Sequence, residues 1–361
     1  MKVVVAGLTH EAQDVIALEL RDIQGSELPA FTSGSHIDVF LPNGICRQYS
    51  LANCPSERHR YVIGVGLAAA SRGGSSYVHQ QLKAGDVLEI SAPRSLFGLD
   101  AGASEHCFVA GGIGITPIIS MIRHCQATGQ PWRLLYCVRS RSRAAFGWTL
   151  ASMGGGVQLF VDEEAAGQRP ALQQWLGDMP AGAHVYCCGP EGLMNAVESA
   201  AQAQGLDKKA VHFERFAPPE AAAAQQASAG SAEFTVVLHR SGQRIQVPAD
   251  QSLLQALEGA GQCLPFSCRE GMCRSCEIPL VSGEADHRDY VLSDEERAAH
   301  QCILPCVSRA RSRSISRFPE ASLIDRVLAQ LQPLYGPLTL DPAGLYSADS
   351  SSTGTGHRLY L

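Results

Sequence analysis

The sequence has 361 residues, too many for one compact core and suited to two or three domains of ~100–150 residues each. With 45% hydrophobic and 18% charged residues it reads as a soluble globular protein, and its net charge of -6 leaves no basic surplus to neutralise nucleic-acid phosphates. The opening "MKVVVAGLTHEAQDV" lacks the long apolar stretch of a secretory leader, and no run reaches the ~18 apolar residues of a membrane helix, so a cytoplasmic protein without a membrane partner is expected.

Residues 1–101 read as short strands. "DVIALELRDI", "SHIDVFL", "YVIGVG" and "DVLEIS" alternate or are β-branched, with Gly, Pro or Asn turns between them, which predicts a small antiparallel barrel. Within it, "CRQYSLAN" is strand-like and puts Arg47 and Tyr49 on one face, with Ser50 next to them. "SRGGSSYVHQQL" sets Gly73, Gly74 and Ser75 ahead of a helix, the arrangement of a phosphate cradle. Taken alone, R-x-Y-S is four common residues.

Residues 102–216 alternate strand and helix. The strands are "EHCFVA", "WRLLYCV", "VQLFV", "AHVYCC" and "AVHFERF", and helices are predicted to begin near Pro117, Arg169 and Glu191. This alternation predicts a parallel α/β sheet covered on both faces, with ligands at the C-terminal strand ends. "AGGIGITPIISMI" runs from strand through a Gly-rich turn into a helix, with Thr116 as expected N-cap and Pro117 as first helical residue. Gly111, Gly112 and Gly114 would let the backbone approach a diphosphate, although the run is not G-x-G-x-x-G and a purely structural turn would use the same residues. A second turn, Cys188-Gly189-Pro190 in "CCGPEGLMNAV", follows the fourth strand. Residues 217–231, rich in Ala, Pro, Gln, Ser and Gly, read as a surface linker.

Residues 232–310 open with two strands around Ser241-Gly242 and a helix introduced by Ser252, with Leu253, Leu254 and Leu257 on one face. Then "PFSCREGMCRSCEIPL" places Cys268, Cys273 and Cys276 inside nine residues. Cytoplasmic thiols stay reduced, so the thirteen cysteines are not expected to form disulfides. Taking Cys306 as the fourth thiolate gives C-x4-C-x2-C-x29-C, whose tight part is the plant-type [2Fe-2S] spacing. A four-cysteine zinc site competes with this, but zinc modules favour C-x2-C pairs at both ends. Cys302 is the rival for fourth ligand, and Cys263 reads as a bystander. Strands, helix and metal loop together resemble the plant-type ferredoxin (β-grasp) fold.

Residues 311–361 break the pattern. "SLIDRVLAQL" has the spacing of an amphipathic helix through Leu323, Ile324, Val327, Leu328 and Leu331, and "SADSSSTGTGH" reads as disordered.

The motifs occur in a specific order: R-x-Y-S, GGS, two Gly-bearing nucleotide turns, then the cysteine loop. In that order the chain resembles the phthalate dioxygenase reductase family, to which vanillate O-demethylase reductases belong. The resemblance covers about residues 1–310. It implies a flavin held by Arg47 at its phosphate, by Tyr49 along the rings and by Ser50 near the reactive nitrogen. Backbone at Val65, Gly66 and Leu67 and a stacked Phe216 would complete that site. It implies that Gly112, Gly114 and Thr116 contact the dinucleotide, and that Cys188 sits by the nicotinamide where hydride leaves. The flavin is expected to be FMN, with FAD the alternative. NADH is expected as donor, although Arg139, Ser140 and Arg141 follow the second strand where an NADPH 2′-phosphate would sit. The partner implied is a Rieske-type terminal oxygenase, met transiently. A stand-alone NAD(P)H-dependent flavin or ferric reductase and a redox-sensing protein are the other readings. Family members end in a short apolar strand, which the sequence after Ala310 does not display.

Overall fold

The computed structural model describes residues 1–154, 156–218, 232–239 and 241–311, with short strands at 316–318, 338–340 and 346–348. The chain divides into two units: Met1–Ala229 with Pro265–Ser275, and Gly230–Leu264 with Cys276–Leu361.

The first unit opens with β1 (Lys2–Ala12), β2 (Val15–Asp22), β3 (Ser35–Phe40), β4 (Cys46–Ser50), β5 (Tyr61–Gly66), helix α1 (Gly74–Gln80), β6 (Val87–Ile90) and β7 (Arg94–Ser95). These strands pair antiparallel in the order β4-β3-β6-β1-β2-β5, with β7 added to β3. A bridge from Leu51, just past β4, to Ile63 on β5 joins the two ends of that order. This is the antiparallel barrel that the alternating segments predict. Val3, Val5, Leu18, Leu20, Ile37, Val39, Ile63, Leu88 and Ile90 fill its core. Each contributes about 1.5–3 kcal/mol of burial.

A parallel sheet follows, built from β8 (His106–Gly111), β9 (Trp132–Val138), β10 (Val157–Val161), β11 (His184–Cys188) and β12 (Val211–Glu214) in the order β10-β9-β8-β11-β12. All six residues of central β8 are buried, as a strand covered on both faces requires. Alternate residues serve opposite faces. Phe108, Ala110, Leu134, Tyr136, Tyr186 and Cys188 enter one apolar cluster, and Val109, Leu135, Val185 and Cys187 enter the other.

The covering helices are α2 (Ile115–Thr128), α3 (Gly147–Ser152), α4 (Leu172–Gly177) and α5 (Glu191–Ala203). Helix α2 begins earlier than the sequence suggests. Gly114 is its capping residue, and Thr116 lies inside the first turn with its hydroxyl donating to the Ile113 carbonyl at 3.1 Å. The tight turn Gly112–Gly114 winds directly into the helix, so no extended residue remains at position 116 to act as a cap. Helix α4 likewise starts at Leu172 rather than near Arg169.

The second unit contains the hairpin β13 (Phe234–Leu238) and β14 (Arg244–Val247), then α6 (Leu253–Gly259). Ser252 caps α6 reciprocally: the Gln255 N–H donates to Ser252 Oγ at 3.2 Å, and the Ser252 N–H donates to Gln255 Oε1 at 2.9 Å. Such a box stabilises a helix start by ~1 kcal/mol. Leu253, Leu254 and Leu257 are buried as their spacing requires. Beyond lie β15 (Ile278–Pro279), β16 (Ala285–Asp286), α7 (Asp294–Ala299), β17 (Cys302–Ile303), β18 (Arg309–Ala310) and β19 (Ser316–Phe318). Strand β19 runs parallel to β13, with Val236 opposite Ser316. It supplies the terminal strand that the sequence does not display. Further on, β20 (Leu338–Leu340) and β21 (Tyr346–Ala348) pair antiparallel, so Ser347 and Ala348 are strand residues rather than disordered ones. The linker from Pro219, the helix expected at 322–331 and the stretch from Asp349 onward lie outside the described residues.

Candidate functional site

Strand β4 presents its residues as period two demands. Val39 faces Arg47, Asp38 faces Gln48 and Ile37 faces Tyr49 across the β3–β4 ladder. The Arg47 guanidinium donates to the Cys46 carbonyl at 2.8 Å and to the Arg72 carbonyl at 3.3 Å, so it lies along the Gly73–Ser75 turn. Gly74 makes this possible, because a Cβ there would lie 2.8 Å from Arg47 Cγ. Gly73 adopts φ +88°, the left-handed region that favours glycine. The turn is organised by Ser71, whose Oγ accepts from the N–H groups of Gly73 and Ser76 and from the Ser75 hydroxyl. Burial pushes the Tyr49 phenol up to about 12, so it stays a neutral hydroxyl.

Strand β5 packs against the Gly112–Gly114 turn and the start of α2. A Cβ on Gly64 would lie 2.6 Å from Thr116 Cγ2, and one on Gly66 would lie 3.5 Å from Ile113. The Val65 side chain belongs to the barrel core and its carbonyl meets His79 Nε2 at 2.9 Å, while Leu67 is exposed.

Strands β8 and β11 are neighbours, and their connections diverge to opposite sides of the sheet, which is where open α/β sheets form a ligand crevice. The two predicted turns touch there. A Cβ on Gly111 would lie 2.5 Å from Pro190 Cδ, and one on Gly114 only 2.2 Å from the Cys188 carbonyl oxygen. Tyr136 Oη donates to the Gly112 carbonyl at 3.1 Å and pins the first turn from below.

At the mouth of this crevice Ser50 Oγ donates to Glu214 Oε2 at 3.3 Å. Glu214 is the register partner of Cys188 on the adjacent strand. Burial pushes the Glu214 carboxyl up to about 8, the Ser50 hydrogen bond offsetting only part of it. Burial, with Glu214 beside it, raises the Cys188 thiol well above its ordinary range, so Cys188 is a neutral packed thiol and not a thiolate. The structure therefore brings Ser50, Cys188, Thr116, Gly112, Gly114, Gly189 and Pro190 into one region. Sequence reasoning missed Glu214; a carboxylate at the end of the apolar strand "VHFE" was the available signal. Phe216 follows β12 and is 49% exposed.

Of the arginines after β9, Arg141 makes a two-pronged pair with Glu164 at 2.6 and 2.8 Å, and Arg143 meets Asp14 at 2.7 Å. Arg139 is exposed.

The cysteine loop curls through left-handed residues at Arg269, Gly271 and Arg274. Cys268 Sγ accepts from the N–H groups of Glu270 at 3.3 Å and Met272 at 3.4 Å. Two backbone donors aimed at one sulfur suit a thiolate bearing negative charge, as an iron–sulfur ligand does. In the second unit, Cys276 and Cys306 are buried in one apolar cluster with Leu254, Leu292 and Leu304, and Cys302 packs at its margin. Cys263 is exposed. Among the described residues, no three of His, Cys, Asp and Glu are drawn together as a closed metal cage.

Comparison with known proteins agrees with this arrangement. Residues 236–311 match the 2Fe-2S iron-sulfur cluster binding domain, and residues 91–211 match the N-terminal domain of dimethylamine monooxygenase subunit DmmA-like proteins. The vanillate O-demethylase oxidoreductase of Pseudomonas sp. (strain HR199 / DSM 7063) is 41% identical over 314 residues, covering 86% of this chain and 98% of that protein. The phthalate 4,5-dioxygenase oxygenase reductase subunit of Pseudomonas putida is 40% identical, covering 84% and 92%. The solved phthalate dioxygenase reductase, described as a modular structure for electron transfer from pyridine nucleotides to [2Fe-2S], superposes with TM-score 0.65 at 38% identity, covering 88% and 97%. The chain belongs to the phthalate dioxygenase reductase family. As a member of that family it is an oxidoreductase, and its relatives are reductase components of oxygenase systems. Its three parts, antiparallel barrel, parallel α/β sheet and ferredoxin domain, are those of the family. Among the described residues no helix is long and apolar enough to cross a membrane.

Proposed function

We propose that this chain is the reductase component of a Rieske-type oxygenase system, carrying electrons from NADH through FMN and a [2Fe-2S] cluster to a transiently bound terminal oxygenase. A flavin held there would supply the conversion of a hydride's electron pair into single electrons, which a [2Fe-2S] cluster takes one at a time. The observation that carries the reading is the meeting of Ser50, Cys188 and Glu214 at the β8–β11 crevice, beside two glycine turns.

Each residue has a task there. Arg47 and the Gly73–Ser75 turn would hold the FMN phosphate, and Tyr49, Val65, Gly66 and Leu67 would hold its rings. Gly112, Gly114 and Thr116 let the dinucleotide approach the backbone at the start of α2. Cys188, Gly189 and Pro190 would support the nicotinamide, and neutral Cys188 would pack there without competing as a nucleophile. Glu214 keeps a proton at its carboxyl below pH about 8 and accepts a hydrogen bond from Ser50 Oγ at Oε2. Phe216, half-exposed at the domain edge, offers a platform for stacking. The pairing of Arg141 with Glu164 supports NADH over NADPH, because that guanidinium already has a carboxylate partner. Cys268, Cys273, Cys276 and Cys306 hold the cluster. The burial of Cys306 beside Cys276, with Cys302 at the margin, supports Cys306 as fourth ligand.

Anaerobic titration of the purified protein with NADH, followed by visible absorption, tests this. Bleaching of a flavin band and of a broad iron–sulfur absorbance is expected. A colourless protein, or one containing zinc without acid-labile sulfide, would refute it.

A further inference from the structure

The segment Pro265–Ser275, which carries Cys268 and Cys273, belongs to the same unit as the barrel. Its attachment there is polar and buried. Ser267 Oγ donates to Asp38 Oδ1 at 2.5 Å across 229 residues of sequence. Gln48 Nε2 donates to the same oxygen at 3.0 Å, and Arg94 Nη2 donates to Oδ2 at 2.7 Å. The Asp38 N–H donates to Ser91 Oγ at 2.9 Å, and Cys46 Sγ lies 3.6 Å from Ser267 Oγ. An ion pair between Arg72 and Glu270 adds a second attachment, but Arg72 is 69% exposed and such a pair contributes little.

The burial of Asp38 is what needs explaining. Its neighbours Ile37 and Val39 point into the barrel core, so Asp38 points outward, where a strand residue ordinarily meets water. Yet Asp38 is only 4% exposed and Ser267 only 8%. A carboxylate so placed is costly unless its oxygens are bonded, and here three side chains bond them. Gln48, which braces it, stands between Arg47 and Tyr49, and Ser267 immediately precedes Cys268.

We propose that Asp38 is a positioning residue whose carboxylate, braced by Arg94 and Gln48, clamps Ser267 and so fixes the Cys268 end of the cysteine loop against the strand bearing Arg47 and Tyr49. Its consequence for electron transfer rests on the functional reading above, because electron transfer slows steeply with distance. Nothing else in that reading assigns Asp38 a task.

Hydrogen exchange on the holoprotein, comparing wild type with Asp38→Asn, Ser267→Ala and the double variant, tests the clamp. Exchange in the peptide spanning 265–276 should quicken on the order of tenfold in each single variant, the factor expected for a charge-assisted buried bond. The double variant should exchange no faster than the singles, and β13–β14 should be unaffected. After rapid mixing with NADH, bleaching of the flavin should keep its rate while bleaching of the cluster slows. Unchanged loop exchange in Ser267→Ala, additive effects in the double variant, or slowing of the flavin phase itself would overturn the clamp. If Asp38→Asn does not fold, Ser267→Ala, which removes one hydroxyl from the loop, decides alone. Absence of flavin or cluster would contradict the functional reading, whereas the exchange comparison would still decide the clamp.

Discussion

Glu214→Gln should make the protein more stable at alkaline pH and leave it unchanged at acid pH. The folded state holds the Glu214 proton up to a pH of about 8, against an ordinary value of 4.5. Between those values the unfolded chain has released a proton that the folded chain still carries. The group's contribution is therefore intact below pH 4.5 and is lost progressively as pH rises towards 8. At ~1.4 kcal/mol for each unit, the loss has a ceiling of about 5 kcal/mol. Glu214 keeps some contact with water, which lowers the expected figure to roughly 2–3 kcal/mol. Glutamine keeps an acceptor for the Ser50 hydroxyl and does not titrate. Thermal unfolding followed by near-ultraviolet circular dichroism should give nearly coincident midpoints for the two proteins near pH 4.5. By pH ~8.5 the variant should unfold about 5–10 °C higher. A difference that does not vary with pH would refute the reasoning, because only the titrating carboxyl distinguishes the two proteins in this way.

The other predictions concern the two ends of the electron path. Gly114→Ala places a methyl 2.2 Å from the Cys188 carbonyl oxygen, a backbone atom that cannot swing aside. It should cost about 2–4 kcal/mol and weaken NADH binding at least tenfold, measured by thermal unfolding and equilibrium titration. Cys306→Ser should abolish stoichiometric iron and acid-labile sulfide in the purified protein, whereas Cys302→Ser should retain both. The opposite pattern would exchange the two ligand assignments.

The legibility of this chain depends on how local each signal is. The barrel strands announce themselves through period two, as at Leu18 and Leu20, and the parallel sheet through apolar strands that alternate with helices. The two nucleotide turns are legible because glycine is required where Gly111 meets Pro190 and Gly114 meets Cys188. The cap of α2 was misplaced because a threonine before a proline looks like a cap, and only the preceding tight turn shows that the helix has already begun. Strand β19 was invisible because three residues carry no periodic signal, and its identity comes from pairing with β13. Glu214 and Asp38 were missed for a shared reason. A carboxylate in a strand reads as a solvent-facing residue until distant segments, Ser50 for one and Ser267 for the other, are seen to reach it.

The central claim is that electrons entering as hydride from NADH leave one at a time through a cluster held by the four cysteines. Low-temperature electron paramagnetic resonance after anaerobic addition of NADH tests this most directly. The account predicts the signal of a reduced [2Fe-2S] centre in the intact protein and its absence when the flavin has been stripped. No such signal from protein that contains both flavin and iron, or the same signal without flavin, would contradict it.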